Sequence, residues 1–161
     1  MYAIIDIMTT VLLTSKGLTP AKTASRFSNL KHIMNIQTCG LVYNAADSPD
    51  SKYIILAQQQ LTKAGLQVTL LDARDMNHDK YDVLYIAGGD TQKLLNDIRS
   101  GIGTNTFKQV ALSSRLIIGV SAGAVLLTPT IRITTEINPD EVDLELSDYS
   151  GLGLLDYEFL P

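Results

Sequence analysis

The residues best suited to covalent chemistry lie in segment 116–127, where an aliphatic run leads into a Gly-x-Ser-x-Gly pattern and then into small residues. Gly119 and Gly123 flank the serine of this pattern, Ser121. A side chain held on a sharp strand-to-helix turn needs neighbours without bulk, so these glycines let the backbone close while Ser121 projects outward. The Ala122 amide would then point at a developing oxyanion. The pattern predicts the nucleophile elbow of a hydrolase, and the alternative is a chance match in a glycine-containing turn.

A second glycine-rich turn also follows an aliphatic run and opens a helix. Gly88 and Gly89 stand directly before Asp90 and Thr91. The structural interpretation is that the paired glycines permit a tight entry while Asp90 or Thr91 caps the helix. The functional interpretation adds that the Gly88 and Gly89 amides face the elbow across the carboxyl ends of neighbouring strands, where open α/β sheets place their sites. This turn is therefore a candidate part of the same site.

The elements that would position both turns follow from an alternation of short aliphatic runs with longer helical stretches. The predicted strands are residues 11–14, 39–45, 66–71, 83–87 and 116–120. The predicted helices, with apolar residues at helical spacing, are 20–34, 51–64, 91–98 and 106–113. After Pro129 the pattern loosens, so 131–150 is predicted to be β-rich or loop, before a last apolar stretch over 152–160. The fold class is α/β, a doubly wound, mostly parallel sheet with helices on both faces, in three layers.

Length and composition fit one domain over residues 1–161, with 1–7 as a short N-terminal extension before the first strand. The chain has 161 residues, of which 45% are hydrophobic, so it can bury a core. Its 13 basic and 17 acidic residues give a net charge of −4 without a cluster of Lys or Arg. Nucleic acid is therefore not an expected partner.

Membrane, secretion and metal binding are not expected either. The longest nearly apolar run, residues 116–127, falls short of the roughly 20 residues that span a bilayer. The N-terminus has no basic residue before Lys16 and carries Asp6, so it does not resemble a signal peptide, and we predict a cytoplasmic chain. One cysteine, Cys39, and two separated histidines offer neither a disulfide framework nor metal-ligand spacing.

The two turns and their flanks, IAGGDTQKLL and GVSAGAVLLTPTIRITTE, resemble the peptidase E family of aspartyl dipeptidases, whose relatives include cyanophycinase. The similarity is spread over residues 9–161, and the fold of the family resembles the class I glutamine amidotransferases. The resemblance implies that Ser121 is the nucleophile and that Gly88, Gly89 and Ala122 provide the oxyanion donors. It implies Glu136 as the acidic member of the triad. The implied reaction is hydrolysis of a small peptide after an N-terminal aspartate, with no cofactor.

Three further polar residues have both a functional and a structural interpretation. An acidic residue such as Glu136, in the segment ITTEINPDE, is usually a solvated loop carboxylate when considered without the resemblance. Thr14 and Ser15 follow the first predicted strand, where the resemblance implies residues that line the site. Capping of the following turn explains them equally well.

The sequence departs from the family in its histidines. The family's base directly follows a segment resembling Leu160-Pro161, so this chain ends one position before it, and we expect the C-terminal part of the domain to be truncated. His32 fits an exposed position of a helix, and His78 lies in a polar turn at the start of a strand, so neither is expected to replace the base. Asp90 stands where the family often has Asn, which places a charge near the predicted oxyanion.

Three interpretations remain open. The first is a truncated serine dipeptidase. The second is a catalytically silent domain that binds a small ligand or a partner chain, for which a free sheet edge favours pairing, as in a homodimer. The third is an amidotransferase-like relative, although those proteins normally carry cysteine at the elbow, where this chain has Ser121 and keeps Cys39 in an early strand.

Overall fold

A five-stranded parallel sheet forms the centre of the molecule, in a computed structural model that describes residues 9–76, 79–137 and 146–161. The strand order is β1-β5-β4-β2-β3. The strands are β1 (Thr10–Thr14), β2 (Thr38–Val42), β3 (Gln67–Leu71), β4 (Val83–Ile86) and β5 (Leu116–Val120). All five predicted strands are present. Strand β2 ends earlier than predicted because the Ala46 N–H donates to the Tyr43 carbonyl and closes a turn.

Helices lie between and after the strands. They are α1 (Ala21–Met34), α2 (Lys52–Lys63), α3 (Thr91–Ser100), α4 (Thr104–Ser113), α5 (Ala122–Leu126) and α6 (Ile133–Ile137). The four predicted helices correspond to α1–α4. The Ser51 hydroxyl caps α2 by accepting from the Ile54 N–H, and Asp90 caps α3 by accepting from the Lys93 N–H. No helix in the described ranges is long and apolar enough to cross a membrane.

The sheet separates two apolar clusters because alternate residues of a strand face opposite sides. In β4, Val83 and Tyr85 pack with helices α1 and α2, whereas Leu84 and Ile86 pack with α3, α4 and α5. The α1–α2 cluster includes Phe27, Ile54, Leu61, Val83, Tyr85 and Ile118. The α3–α5 cluster includes Ile86, Leu94, Ile98, Phe107, Ile117 and Val125. The predicted three-layer, doubly wound α/β fold is confirmed.

The connections explain where a site can form. From β1 to β2 and on to β3 the chain crosses the sheet in one direction through α1 and α2, and from β4 to β5 it returns through α3 and α4. Right-handed crossovers in opposite directions place their helices on opposite faces. The pairs β1/β5 and β2/β4 are therefore neighbours whose following helices diverge, which opens crevices at their carboxyl ends.

The segment after residue 129 differs in part from its prediction as β-rich or loop. Residues 133–137 form the short helix α6. A single antiparallel bridge joins Thr130 to Ser150, and residues 138–145 between them lie outside the described ranges. The apolar stretch 152–160 forms no regular element, although Leu152 is buried against the α3–α5 cluster. Backbone hydrogen bonds hold residues 151–155 against the end of α5, as from the Leu152 N–H to the Leu126 carbonyl over 2.8 Å and from the Gly153 N–H to the Thr128 carbonyl over 3.0 Å.

Candidate active site

Ser121 occupies a strained turn between β5 and α5. Its backbone has φ 47° and ψ −108°, a region that side-chain-bearing residues rarely adopt. The Ser121 N–H donates to the Thr14 carbonyl over 2.8 Å, and the Ser121 carbonyl accepts from the Ala124 N–H over 2.9 Å. A Cβ at Gly119 would lie 2.8 Å from the Ala124 Cα, so only glycine fits there. The strand, the strained serine and the following helix match the strand–turn–helix context that the Gly-x-Ser-x-Gly pattern requires.

The second glycine turn lies directly beside the serine. A Cβ added at Gly88 would lie 3.2 Å from the Ser121 Cβ and 3.2 Å from the Val120 carbonyl oxygen. Gly89 has φ 141°, and a Cβ there would collide with the Ala45 carbonyl. The Asp90 N–H donates to that same carbonyl over 2.7 Å. The structure thus brings Gly88 and Ser121 together, as the sequence predicts, and positions this turn through Ala45.

Backbone amides at the two turns are available as donors. Within the described ranges, the N–H groups of Gly88, Gly89 and Ala122 donate to no protein acceptor. Ala122 is buried, Gly88 is half-buried and Gly89 is exposed, and both glycines line the same cavity as Ser121. Amides in such a position can stabilise negative charge that develops on a carbonyl oxygen during acyl transfer.

Ser121 opens into a cavity of about 550 Å³, within the usual range for small-molecule sites. One wall is the turn Ser15, Lys16 and Gly17 after β1, and the base includes Tyr85 and Val120. Helix α2 forms the opposite wall with Tyr53, Leu56, Ala57 and Gln60. Lys16 is the one formally charged side chain among these described lining residues. The lining is therefore mostly apolar and carries one formal positive charge, on Lys16.

Thr14 and Ser15 have different roles. The Thr14 hydroxyl donates to the Gly17 carbonyl over 3.0 Å and accepts from the Lys16 N–H over 3.3 Å, so Thr14 caps the turn. Ser15 lines the cavity. The capping interpretation therefore holds for Thr14 and the site-lining interpretation for Ser15.

Glu136 is not among the residues that line this cavity. It lies in α6 and is exposed, and Ile133 of the same helix packs against the α3–α5 cluster. The cavity lies on the other side of the sheet, against α2. No hydrogen bond in the described ranges joins Glu136 to Ser121, and a triad role for Glu136 stays a prediction from the resemblance.

The two described residues that could replace the base or the nucleophile, His32 and Cys39, do not line the cavity. His32 is exposed in the last turn of α1 and lies outside the cavity lining, as expected for a helical surface residue. His78 lies outside the described residues. Burial raises the pKa of the Cys39 thiol to about 12, so this cysteine stays protonated and is not an activated nucleophile.

A buried polar network that the sequence did not reveal supports the Gly88–Gly89 turn. Asn44 is 1% exposed, and its amide nitrogen donates to carboxylate oxygens of Asp72 at 2.9 Å and Asp97 at 3.0 Å. The Asn44 carbonyl accepts from the Lys93 Nζ over 2.6 Å, which ties β2 to helix α3. Asn44 directly precedes Ala45, against which Gly89 packs. The sequence feature that could have indicated this network is the polar Asn44 within the predicted aliphatic strand 39–45.

Comparisons with known proteins agree with this fold. A family model described as peptidase family S51 matches residues 12–161. The uncharacterized peptidase Lin0382 of Listeria innocua is 32% identical over 117 residues, covering 68% of this chain and 56% of that protein. The uncharacterized peptidase Lmo0363 of Listeria monocytogenes is 30% identical over 117 residues, covering 68% and 57%. The match thus spans little more than half the length of these relatives.

Two crystal structures share the architecture. A candidate peptidase E from Listeria monocytogenes EGD-e superposes with a TM-score of 0.79 and 24% identity, over 96% of this chain and 79% of that chain. A peptidase from an acI-B1 actinobacterium gives a TM-score of 0.65 and 18% identity, over 92% and 66%. At these identities the likeness concerns the fold.

Proposed function

The chain belongs to peptidase family S51, and on that premise we propose that it is the nucleophile-bearing part of a serine-type dipeptidase that cleaves after an N-terminal aspartate. The observation that carries the proposal is the strained Ser121, with the Gly88 turn directly beside it and unpaired backbone amides at Gly88, Gly89 and Ala122. Strain of this kind persists only where surrounding structure enforces it, and it concentrates at functional sites.

The residues of the chain would act in a defined order. The Ser121 oxygen attacks the peptide carbonyl carbon while its proton passes to a base, and the carbonyl oxygen becomes an oxyanion. The amides of Gly88, Gly89 and Ala122 are the candidate donors to that oxyanion. The C–N bond then breaks, the amine leaves with the proton, and water hydrolyses the acyl-serine. The described lining of the cavity contains no histidine or carboxylate, so none of these residues is assigned as the base.

A second candidate function is binding without catalysis. The lack of a base among the described cavity residues favours a domain that keeps the pocket for a small ligand. Strand β1 is an outer strand of the described sheet, and its free edge favours a partner chain. Reaction of Ser121 with an electrophile separates the two candidates.

The test uses a fluorophosphonate probe and aspartyl p-nitroanilide on the 161-residue chain. We expect the probe to label Ser121 and the Ser121→Ala variant to lose both labelling and any release of nitroaniline. Ser25→Ala is the control, because Ser25 is exposed on α1 away from the cavity. Labelling without turnover would support Ser121 as the nucleophile and would indicate that the base for hydrolysis is not among the described cavity residues. Equal labelling of wild type and Ser121→Ala would contradict the proposal, and a folded protein with no labelling would favour binding.

A further inference from the structure

Helices α1 and α2 line a second cavity, on the same side of the sheet as the cavity at Ser121. Its volume is about 520 Å³, which lies within the usual range for small-molecule sites. Leu18 and Phe27 supply part of an apolar lining, and Phe27 is 2% exposed. Gln60 lines both cavities, and its amide nitrogen donates to the Thr19 hydroxyl over 3.2 Å. This α1–α2 cavity therefore adjoins the cavity at Ser121 without including the serine.

The ionisable groups of the α1–α2 cavity are all basic. Lys31 and Lys63 line it together with His32, and its described lining contains no carboxylate. A Cβ at Gly65 would lie 3.6 Å from the Lys31 Nζ, so this ammonium group reaches from α1 to the turn that follows α2. Lys31 is half-buried, and neither lysine has an ion pair or a side-chain hydrogen bond in the described ranges. Removing a cation from water without a partner costs free energy, which a bound anion would offset.

The two helices carry positive charge in a chain that is negative overall. Neither helix contains Asp or Glu, whereas the chain has a net charge of −4. The lysines and arginines of the two helices are Lys22, Arg26, Lys31, Lys52 and Lys63. The helix dipole favours cations in the last turn, but it equally favours acidic residues in the first turn, where both helices have none. Helix stability therefore does not account for the missing acidic residues, whereas attraction of an anion to this face would.

We propose that the α1–α2 cavity binds a small organic anion, with a phosphate or carboxylate group at Lys31 and Lys63 and an apolar body against Phe27. Ammonium groups form charge-assisted hydrogen bonds with both kinds of anion. Such binding is independent of any reaction at Ser121, because it takes place in a different cavity.

The probes for this site are phenyl phosphate, benzoate and the uncharged benzamide. Each is titrated into the 161-residue chain, in a buffer without phosphate or carboxylate, while NMR chemical shifts are followed. We expect an anionic probe to shift the amides that line the α1–α2 cavity and benzamide to bind at least about tenfold more weakly, because hydrogen bonds to charged groups are the stronger ones. Added salt is expected to weaken binding of the anion. Tighter binding of phenyl phosphate than of benzoate would assign a phosphate ligand, and the reverse order a carboxylate ligand.

Matched variants remove one positive charge inside or outside the cavity. Lys31→Met is expected to weaken anion binding about tenfold, and Lys63→Met a few-fold because Lys63 is more exposed. Lys22→Met and Lys52→Met change exposed lysines of the same helices outside the cavity, and both are expected to bind as wild type.

Three outcomes overturn the proposal: neither anion binds, benzamide binds as tightly as both anions, or Lys22→Met loses as much affinity as Lys31→Met. If Lys31→Met does not fold, Lys63→Met decides it. Ser121→Ala is expected to bind the anion as wild type does, so the result stands whether or not Ser121 proves reactive.

Discussion

The carboxyl ends of the central strands and the segment after residue 129 differ in what fixes their conformation. At the strand ends, Gly89 packs on the Ala45 carbonyl, and hydrogen bonds of Asn44 join the end of β2 to α3. The conformation of each of these residues is therefore fixed by contacts with several others. In the later segment, Glu136 is exposed and its helix is five residues long. Residues with several fixed partners have one allowed conformation, whereas the Glu136 side chain makes no hydrogen bond in the described ranges.

The largest effect is expected at Gly89. An alanine there would have to adopt φ 141° and place its Cβ against the Ala45 carbonyl, so we expect Gly89→Ala to lower the free energy of unfolding by about 3 kcal/mol or more. Gly103→Ala is the control, because Gly103 also has positive φ, 81°, but nothing lies within 4 Å of its Cβ position. We expect that variant to cost about 1 kcal/mol. Similar urea midpoints for the two variants would show that the packing of Gly89 on Ala45 adds nothing to the cost of its positive φ.

A smaller, pH-dependent effect is expected at Asp72. The Arg74 guanidinium beside Asp72 holds the pKa of its carboxyl well below the usual range, against the effect of burial and with further hydrogen bonds from Asn44 and Tyr43. A pKa lowered by folding stabilises the protein above the unfolded-state value, about 3.9. This stabilisation is therefore lost as pH falls from about 5 toward 2.

The measurement is urea unfolding of wild type and Asp72→Asn across that range. We expect the variant to be less stable at pH 6 and to lose less stability on acidification. Asp47→Asn, an exposed aspartate with no hydrogen bond in the described ranges, serves as the reference for generic charge effects. If Asp72→Asn followed the wild-type pH curve, the network at the strand ends would contribute no more than an ordinary surface carboxylate.

The smallest effect is expected at Glu136. Because its side chain is exposed and lies outside the cavity lining, we expect Glu136→Gln to change the free energy of unfolding by less than about 0.5 kcal/mol. Labelling of Ser121 by fluorophosphonate is expected to stay within about twofold of wild type. A loss of labelling comparable to that of Ser121→Ala would show that Glu136 reaches the site, as the family resemblance implies.

The sequence was sufficient for the sheet and for both glycine turns. Aliphatic runs such as 116–120 are buried on both faces and have few alternatives to a central strand. The turn at Ser121 was predictable because Gly119 and Gly123 meet a steric requirement that no other residue satisfies. In these places local chemistry and tertiary packing impose the same conformation.

Other parts of the site depend on contacts between residues far apart in sequence. The predicted strand 83–87 includes Tyr85, but only the approach of the Gly17 turn to the Tyr85 hydroxyl shows that this residue lines the cavity. Asn44 meets Asp97 from a distant helix. Helix α6 was missed because five residues are too few for a periodic pattern to be distinguished from a loop.

The hydrogen bond from the Ser121 N–H to the Thr14 carbonyl also constrains the order of folding. It joins the first described strand to the last, because β1 pairs with β5 across about a hundred residues of chain. Contacts of such long sequence separation carry a loop-closure entropy that local contacts avoid. A nascent or partly folded chain in which β1 and β5 have not yet paired therefore lacks this hydrogen bond to the backbone of Ser121.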